Sequence, residues 1–150
     1  MSMNNKIPPP IVTLFFGLCI FFSKSYFPDF NNQIFNVLGV ISILLGITIL
    51  FLAVRLFNKQ NTTVNPIKIE KASSLVVAGI FQYSRNPMYL GMLFVLTGLM
   101  FKFNLIGGFI FTLLFMLFMT VFQIKPEEQI MSKLFGDEFN EYKKKVRMWL

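Results

Sequence analysis

An all-α, polytopic membrane protein with about four transmembrane helices is the fold this sequence predicts, and three observations predict it. Hydrophobic residues make up 55% of the chain and charged ones only 14%, against about 25% charged in soluble proteins. Four apolar runs, residues 11–22, 34–57, 88–101 and 105–124, alternate with polar stretches. Lysines and arginines gather between and after these runs rather than in one patch, which is the distribution of membrane topology. The formal charge of +7 is therefore loop charge, and no nucleic-acid partner is expected. A length of 150 residues fits a single domain over 1–150.

Each element follows in order. A polar start and the run Pro8-Pro9-Pro10 lead into "IVTLFFGLCIFF". No small-residue cleavage site follows it and more apolar runs do, so it is a first membrane helix rather than a signal peptide. The turn "SKSYFPDFNNQ" separates it from residues 34–57, which are long enough to span a bilayer core that takes about 20 apolar residues. Gly39 and Gly46 lie seven apart on one face there, a spacing for close helix packing. Residues 88–101 are short enough to be re-entrant, and 105–124 are long. Lys102 and Asn104 mark a tight turn that makes these two a helical hairpin. A lysine at mid-membrane costs roughly 2.5–3.5 kcal/mol, so Lys102 belongs at an interface.

Loop charge sets the orientation. The segments holding Arg55 to Arg85 and Lys125 to Arg147 are rich in Lys and Arg, while the other two turns carry Lys24 and Lys102 alone. Positive-inside then places the middle segment, the tail and both termini in the cytoplasm, and the expected location of this multi-pass protein is a bacterial inner membrane. In the tail, Pro126 opens an interfacial helix with Ile130, Met131, Leu134 and Phe135 on one side, and Gly136 caps it. Asp137 caps a second helix with Phe139, Tyr142, Val146 and Trp149 on one face. Lys143, Lys144 and Lys145 face away or snorkel towards anionic lipid.

Composition removes some chemistry. There is no histidine, and Cys19 is the single cysteine. No metal site is therefore expected, and Cys19 in its apolar run reads as a small hydrophobe. What remains is "YSRNPMYLG", residues 83–91. Asn86 is a good N-cap and Pro87 a good first helical residue, so free N–H groups point into the cytoplasmic interface. Arg85 adds a cation with a bidentate fork, Tyr89 a hydroxyl one turn in, and Gly91 room for a ligand or a neighbouring backbone. Glu127 and Glu128 stand at the same depth. Taken singly, each is an ordinary boundary charge or helix-dipole complement.

Together they carry a resemblance. "LVVAGIFQYSRNPMYLG" at 75–91, an apolar hairpin, and "EEQIMSKLFGDEFNEYKKKVRMWL" at 127–150 resemble the isoprenylcysteine carboxyl methyltransferase and phospholipid methyltransferase superfamily. Those are integral membrane enzymes that use S-adenosylmethionine. The likeness covers residues from about 62 to 150, and "NTTVNP" at 61–66 resembles the approach to the motif. It implies that Leu75, Val76 and Gly79 line a cofactor pocket, with Tyr83, Arg85, Asn86, Pro87 and Tyr89 as its polar wall. Glu127 and Glu128 match the pair that holds cofactor or works at the reacting centre, and Arg147 and Trp149 match tail residues that fold back over the site. Arg85, Glu127, Glu128 and Tyr89 are thus the implied catalytic set. Asn86 departs from the histidine of many members, and Phe139 from a frequent tyrosine.

The resemblance implies a lipophilic acceptor, be it a prenyl-cysteine-like carboxylate, a lipid amine or a thiol. If a proton must leave the acceptor, Glu128 or Glu127 is best placed to take it. Two other readings share the motif pair: an NADPH-dependent sterol or enone reductase, whose chains are much longer, and a non-catalytic adaptor, which has no use for the retained polar residues.

Overall fold

The computed structural model describes residues 7–28, 30, 32–59 and 74–150, and every regular element among them is helical. Five helices follow in order: α1 (Pro9–Ser23), α2 (Gln33–Lys59), α3 (Pro87–Phe103), α4 (Leu105–Met119) and α5 (Lys125–Lys145). Residues 61–66, Lys68 and Lys71 lie outside the described residues. Three stretches are long and apolar enough to cross a membrane: Pro9–Tyr26, Gln33–Lys59 and the continuous Leu105–Lys145. The fourth predicted span, α3, has 17 residues, about 26 Å at 1.5 Å per residue, slightly less than a hydrocarbon core of about 30 Å.

Helix α3 is the central element. Its pairing with α2 rests on small residues, since helices in lipid associate by close contact rather than by escape from water. Gly39 faces Gly98 and Gly46 faces Gly91, so the two helices run antiparallel. A Cβ at Gly46 would lie 2.6 Å from the Gly91 carbonyl, and one at Gly91 would lie 2.8 Å from that of Gly46. Gly91 therefore serves a neighbouring backbone. Between the pairs, Ser42 Oγ donates to the Phe94 carbonyl at 2.7 Å. On the other side, Val12, Phe16 and Ile20 of α1 recur every four residues and bury against Leu96, Phe115 and Met119. Phe16 meets Phe115 edge-on, with ring centres 5.8 Å apart. The α3–α4 turn is held by Asn104, which accepts from Gly107 N and donates to Ser23 Oγ, both at 3.0 Å. This hairpin is the predicted one.

The tail differs from its prediction in three ways. Pro126 does not open a separate helix; α4 runs on into α5 through a π-helical turn, Thr120–Ile124. Proline has no N–H to donate, and the wider turn shifts the ladder locally, with Lys125 N donating to Thr120 O. The predicted break does fall at Gly136 (φ 50°), but as a kink inside α5 rather than as a cap. Finally, α5 ends at Lys145 with Val146 extended, so Val146 and Trp149 are not on a helical face with Phe139 and Tyr142. Val146 still packs with Phe139 and Tyr142, whereas Trp149 leaves them to pack on the α1–α3–α4 cluster.

Candidate active site

The N-terminus of α3, the first turn of α5 and the chain's last five residues meet at one end of the molecule. Pro87 occupies the first turn of α3, as its fixed φ and missing N–H allow. Asn86 sits at the cap position, but its side chain makes no cap bond. Instead Asn86 Nδ2 donates to the Met148 carbonyl at 3.0 Å, and Asn86 N donates to Ser84 Oγ at 3.1 Å. The expected N-cap is thus spent on the tail.

Arg85 is the main fastening. Its Nε and Nη2 donate to Glu128 Oε1 at 3.0 and 2.6 Å. Nη1 donates to the carbonyls of Val146 (2.5 Å) and Lys143 (3.3 Å), and its backbone N–H donates to Arg147 O at 3.0 Å. Helix C-termini leave carbonyls without intrahelical donors, and this guanidinium supplies them at the end of α5. Lys143 Nζ adds 3.4 Å to Glu128 Oε2. Contrary to the sequence prediction for all three tail lysines, Lys143 therefore neither faces away nor snorkels, whereas Lys144 pairs with exposed Glu141.

Glu127 has different surroundings. It is 9% exposed, and its Oε1 accepts the Tyr89 hydroxyl at 2.5 Å. Burial, which disfavours the charged form, pushes its pKa from 4.5 up to about 7; the Tyr89 hydrogen bond opposes this and the Glu128 charge adds to it. Farther along α5, burial also raises the Tyr142 hydroxyl pKa, and that hydroxyl donates to the Phe81 carbonyl at 2.6 Å. The structure thus separates two glutamates that sequence cannot. Glu128 is tied to two cations, and Glu127 is buried beside a tyrosine.

Other expected residues lie elsewhere. Val76, with Leu75 against it, belongs to the apolar cluster of Ala53, Phe81, Phe139 and Tyr142. Gly79 adopts φ 60°, and a Cβ there would also lie 2.9 Å from Leu56 Cδ1, so conformation and space both favour glycine. Tyr83 is 72% exposed. Arg147 is exposed and contributes its carbonyl rather than its guanidinium. Trp149 does fold back, with Nε1 donating to Thr120 Oγ1 at 3.1 Å. Sequence reasoning missed Ser84, Gln123 and Met148. Ser84 and Gln123 are buried polar residues, and Gln123 Nε2 donates to the Ile7 carbonyl at 2.8 Å. A glutamine ending an apolar run, "VFQIKPEE", was the available signal.

Comparison with known proteins agrees with the resemblance. No solved structure matches the chain. The protein-S-isoprenylcysteine O-methyltransferase of Schizosaccharomyces pombe is 38% identical over 82 residues, 53% of this chain. This chain spans about a third of that relative's length, 34%. An uncharacterized protein of Haemophilus influenzae is 36% identical over 63 residues, 42% of this chain and all of that one. The family model for phospholipid methyltransferase matches residues 34–138, a stretch that takes in the glycine-paired helices, Arg85, Tyr89 and both glutamates, and the chain belongs to that family.

Proposed function

We propose that this protein is a multi-pass membrane methyltransferase that moves a methyl group from S-adenosylmethionine to a lipophilic acceptor at the cytoplasmic face. Family membership supports methyl transfer, and the buried Tyr89–Glu127 pair is the observation that carries the site. The Lys and Arg content of the middle and tail segments supports cytoplasmic termini.

The residues fit a cationic methyl donor: a buried carboxyl with no arginine or lysine paired to it among the described residues favours positive charge. When bound, S-adenosylmethionine supplies a methyl carbon on a sulfonium, open to in-line attack. What the protein must add is aim, exclusion of water and, for some acceptors, a base. Glu127 is itself only 9% exposed, and its partner Tyr89 packs in the apolar cluster that includes Met92 and Ile124, so water is largely excluded there. Glu127, with its pKa near 7, is poised to take a proton from an amine or thiol acceptor at neutral pH. A carboxylate acceptor needs no such step. Tyr89 holds Glu127 in place through its hydroxyl. Arg85 positions the tail through Glu128 and the α5 carbonyls rather than touching the reacting atoms. With the donor bound, transfer would balance as a new acceptor–carbon bond for the broken carbon–sulfur bond, and Glu127 would take any acceptor proton.

Methyl-labelled S-adenosylmethionine, incubated with membranes containing the protein and followed by lipid extraction, tests this reading. Label should enter a lipophilic product with the wild type and not with Glu127→Gln when the acceptor is an amine or thiol. No transfer, together with binding of NADPH, would make the protein a reductase instead.

A further inference from the structure

Gln123 is 1% exposed. Its Nε2 donates to the Ile7 carbonyl, which fixes the amide: an acceptor faces the nitrogen, so the oxygen faces the other way. That oxygen, Oε1, is buried and accepts no hydrogen bond among the described residues. An unpaired buried acceptor is destabilising by about 1–3 kcal/mol, and such groups persist where something else repays them.

The position of Gln123 says what that could be. It sits in the π-helical turn Thr120–Ile124, a local irregularity concentrated at functional sites. Glu127 follows four residues later, and residues so spaced share one helix face. Glu127 Oε1 takes the Tyr89 hydroxyl, leaving Oε2 for another donor. The nearby cations, Arg85 and Lys143, are both turned to Glu128. Gln123 and Glu127 thus lie one turn apart on one helix, both buried and each bringing an acceptor oxygen.

We propose that Gln123 is a ligand-binding residue whose amide oxygen accepts a hydrogen bond from a primary ammonium group lying against Glu127. This rests on the methyltransferase reading. Two molecules carry that group: the amino-acid end of the methyl donor, and an amine-headgroup phospholipid.

Calorimetric titration of the detergent-solubilised full chain separates them. One arm compares S-adenosylhomocysteine with its analogue lacking the α-amine. The other compares an ethanolamine-headgroup phospholipid with a choline-headgroup one, which has no N–H. The wild type should prefer the N–H-bearing member of one pair by about 10- to 100-fold, the range for a hydrogen bond to a charged group. Gln123→Met should reduce that preference, with the part owed to Glu127 remaining, and leave the amine-free member's affinity unchanged. Gln123→Asn, which withdraws the oxygen by one methylene, should do the same and serves if Gln123→Met fails to fold. A reduced preference in the nucleoside arm assigns the ammonium to the methyl donor, and one in the lipid arm to the phospholipid. Preference unreduced in both arms, or both members weakened equally, makes Gln123 a packing residue tied to Ile7 and overturns the proposal. If the wild type binds neither nucleoside, the methyltransferase reading fails and the proposal with it.

Discussion

Tyr89, one turn into α3, donates its hydroxyl to Glu127 in the first turn of α5 at 2.5 Å, while Glu128, the next residue, turns to Arg85 and Lys143. Adjacent helical residues point about 100° apart, so one glutamate enters the interior and the other faces the tail. Their substitutions should fail differently. Glu127→Gln keeps the shape and removes the base, so turnover of an amine or thiol acceptor should fall by about 10²–10⁴-fold with little loss of stability. Glu128→Gln leaves Arg85 without its counter-charge, and breaking such a pair costs about 3–5 kcal/mol when it is well buried. Turnover and melting temperature, measured together on both variants in detergent, check the assignment. Equal losses of stability would refute it.

Stability should depend on pH through Glu127. Its folded pKa of about 7 lies above its ordinary 4.5, so the fold favours the neutral carboxyl. That contribution is complete below about 4.5 and is lost as pH rises through 7. At about 1.4 kcal/mol per pH unit the interval amounts to roughly 3 kcal/mol. Tyr89 and Glu128 face Glu127, and the nearby cations are engaged by Glu128. The melting temperature should therefore fall between pH 5 and 8, and Glu127→Gln should flatten the slope. A wild-type slope unchanged in Glu127→Gln would place the titration elsewhere.

Arg85 should behave as a fork that only arginine provides. It bonds one carboxylate and two carbonyls at once, which a lysine point charge cannot match. Both Arg85→Lys and Arg85→Ala should free the last five residues, seen as faster carboxypeptidase trimming and altered Trp149 fluorescence. Lys144→Ala should change neither, because an exposed pair such as Lys144–Glu141 contributes at most about 1 kcal/mol. Trimming of Arg85→Lys at the wild-type rate would show the fork to be dispensable.

Much of this arrangement was legible in the sequence because it is written in patterns. Apolar runs gave the helices, Gly39 and Gly46 gave the face that meets α3, and the turn at Asn104 gave the hairpin. The Gly136 break was placed correctly because a glycine between "KLF" and "DEF" has few other uses. What was not legible depends on contacts distant in sequence. Nothing local says that Arg85 spends its fork on the carbonyls of Lys143 and Val146, or that Asn86 reaches Met148 rather than its own helix. Leu75 and Val76, which the resemblance assigns to a cofactor pocket with Gly79, pack in the cluster of Phe81 and Phe139, and Gly79 abuts Leu56. The π-turn escaped because Pro126 reads equally well as the start of a helix and as the cause of a shifted ladder.

The α2–α3 seam should tolerate no added carbon. At Gly46 a methyl would meet the Gly91 carbonyl at 2.6 Å and Val95 at 2.9 Å, contacts with backbone that cannot yield. Gly46→Ala should destabilise by about 1–3 kcal/mol, the usual cost of overpacking, and Gly136→Ala should act through φ alone, since nothing lies within 4 Å of its Cβ position. Melting curves of both variants in detergent check these expectations. A Gly46→Ala protein as stable as the wild type would mean that the helices separate at no cost.

Ligand should stabilise the site it occupies, and the variants above predict how. A ligand at 100 times its dissociation constant adds about 2.7 kcal/mol to the folded state, so S-adenosylhomocysteine should raise the melting temperature of the wild type clearly. An ammonium or sulfonium beside Glu127 favours the ionised carboxylate, so ligand and proton compete there. The rise should therefore be larger at pH 8 than at pH 5.5, opposite in sign to the trend without ligand. Glu127→Gln cannot ionise, and its rise should be smaller and the same at both pH values. Thermal scans of the two proteins at two pH values, with and without ligand, supply the comparison. A ligand-induced rise in the wild type that is equal at pH 5.5 and 8 would separate binding from Glu127 and return that residue to a packing role.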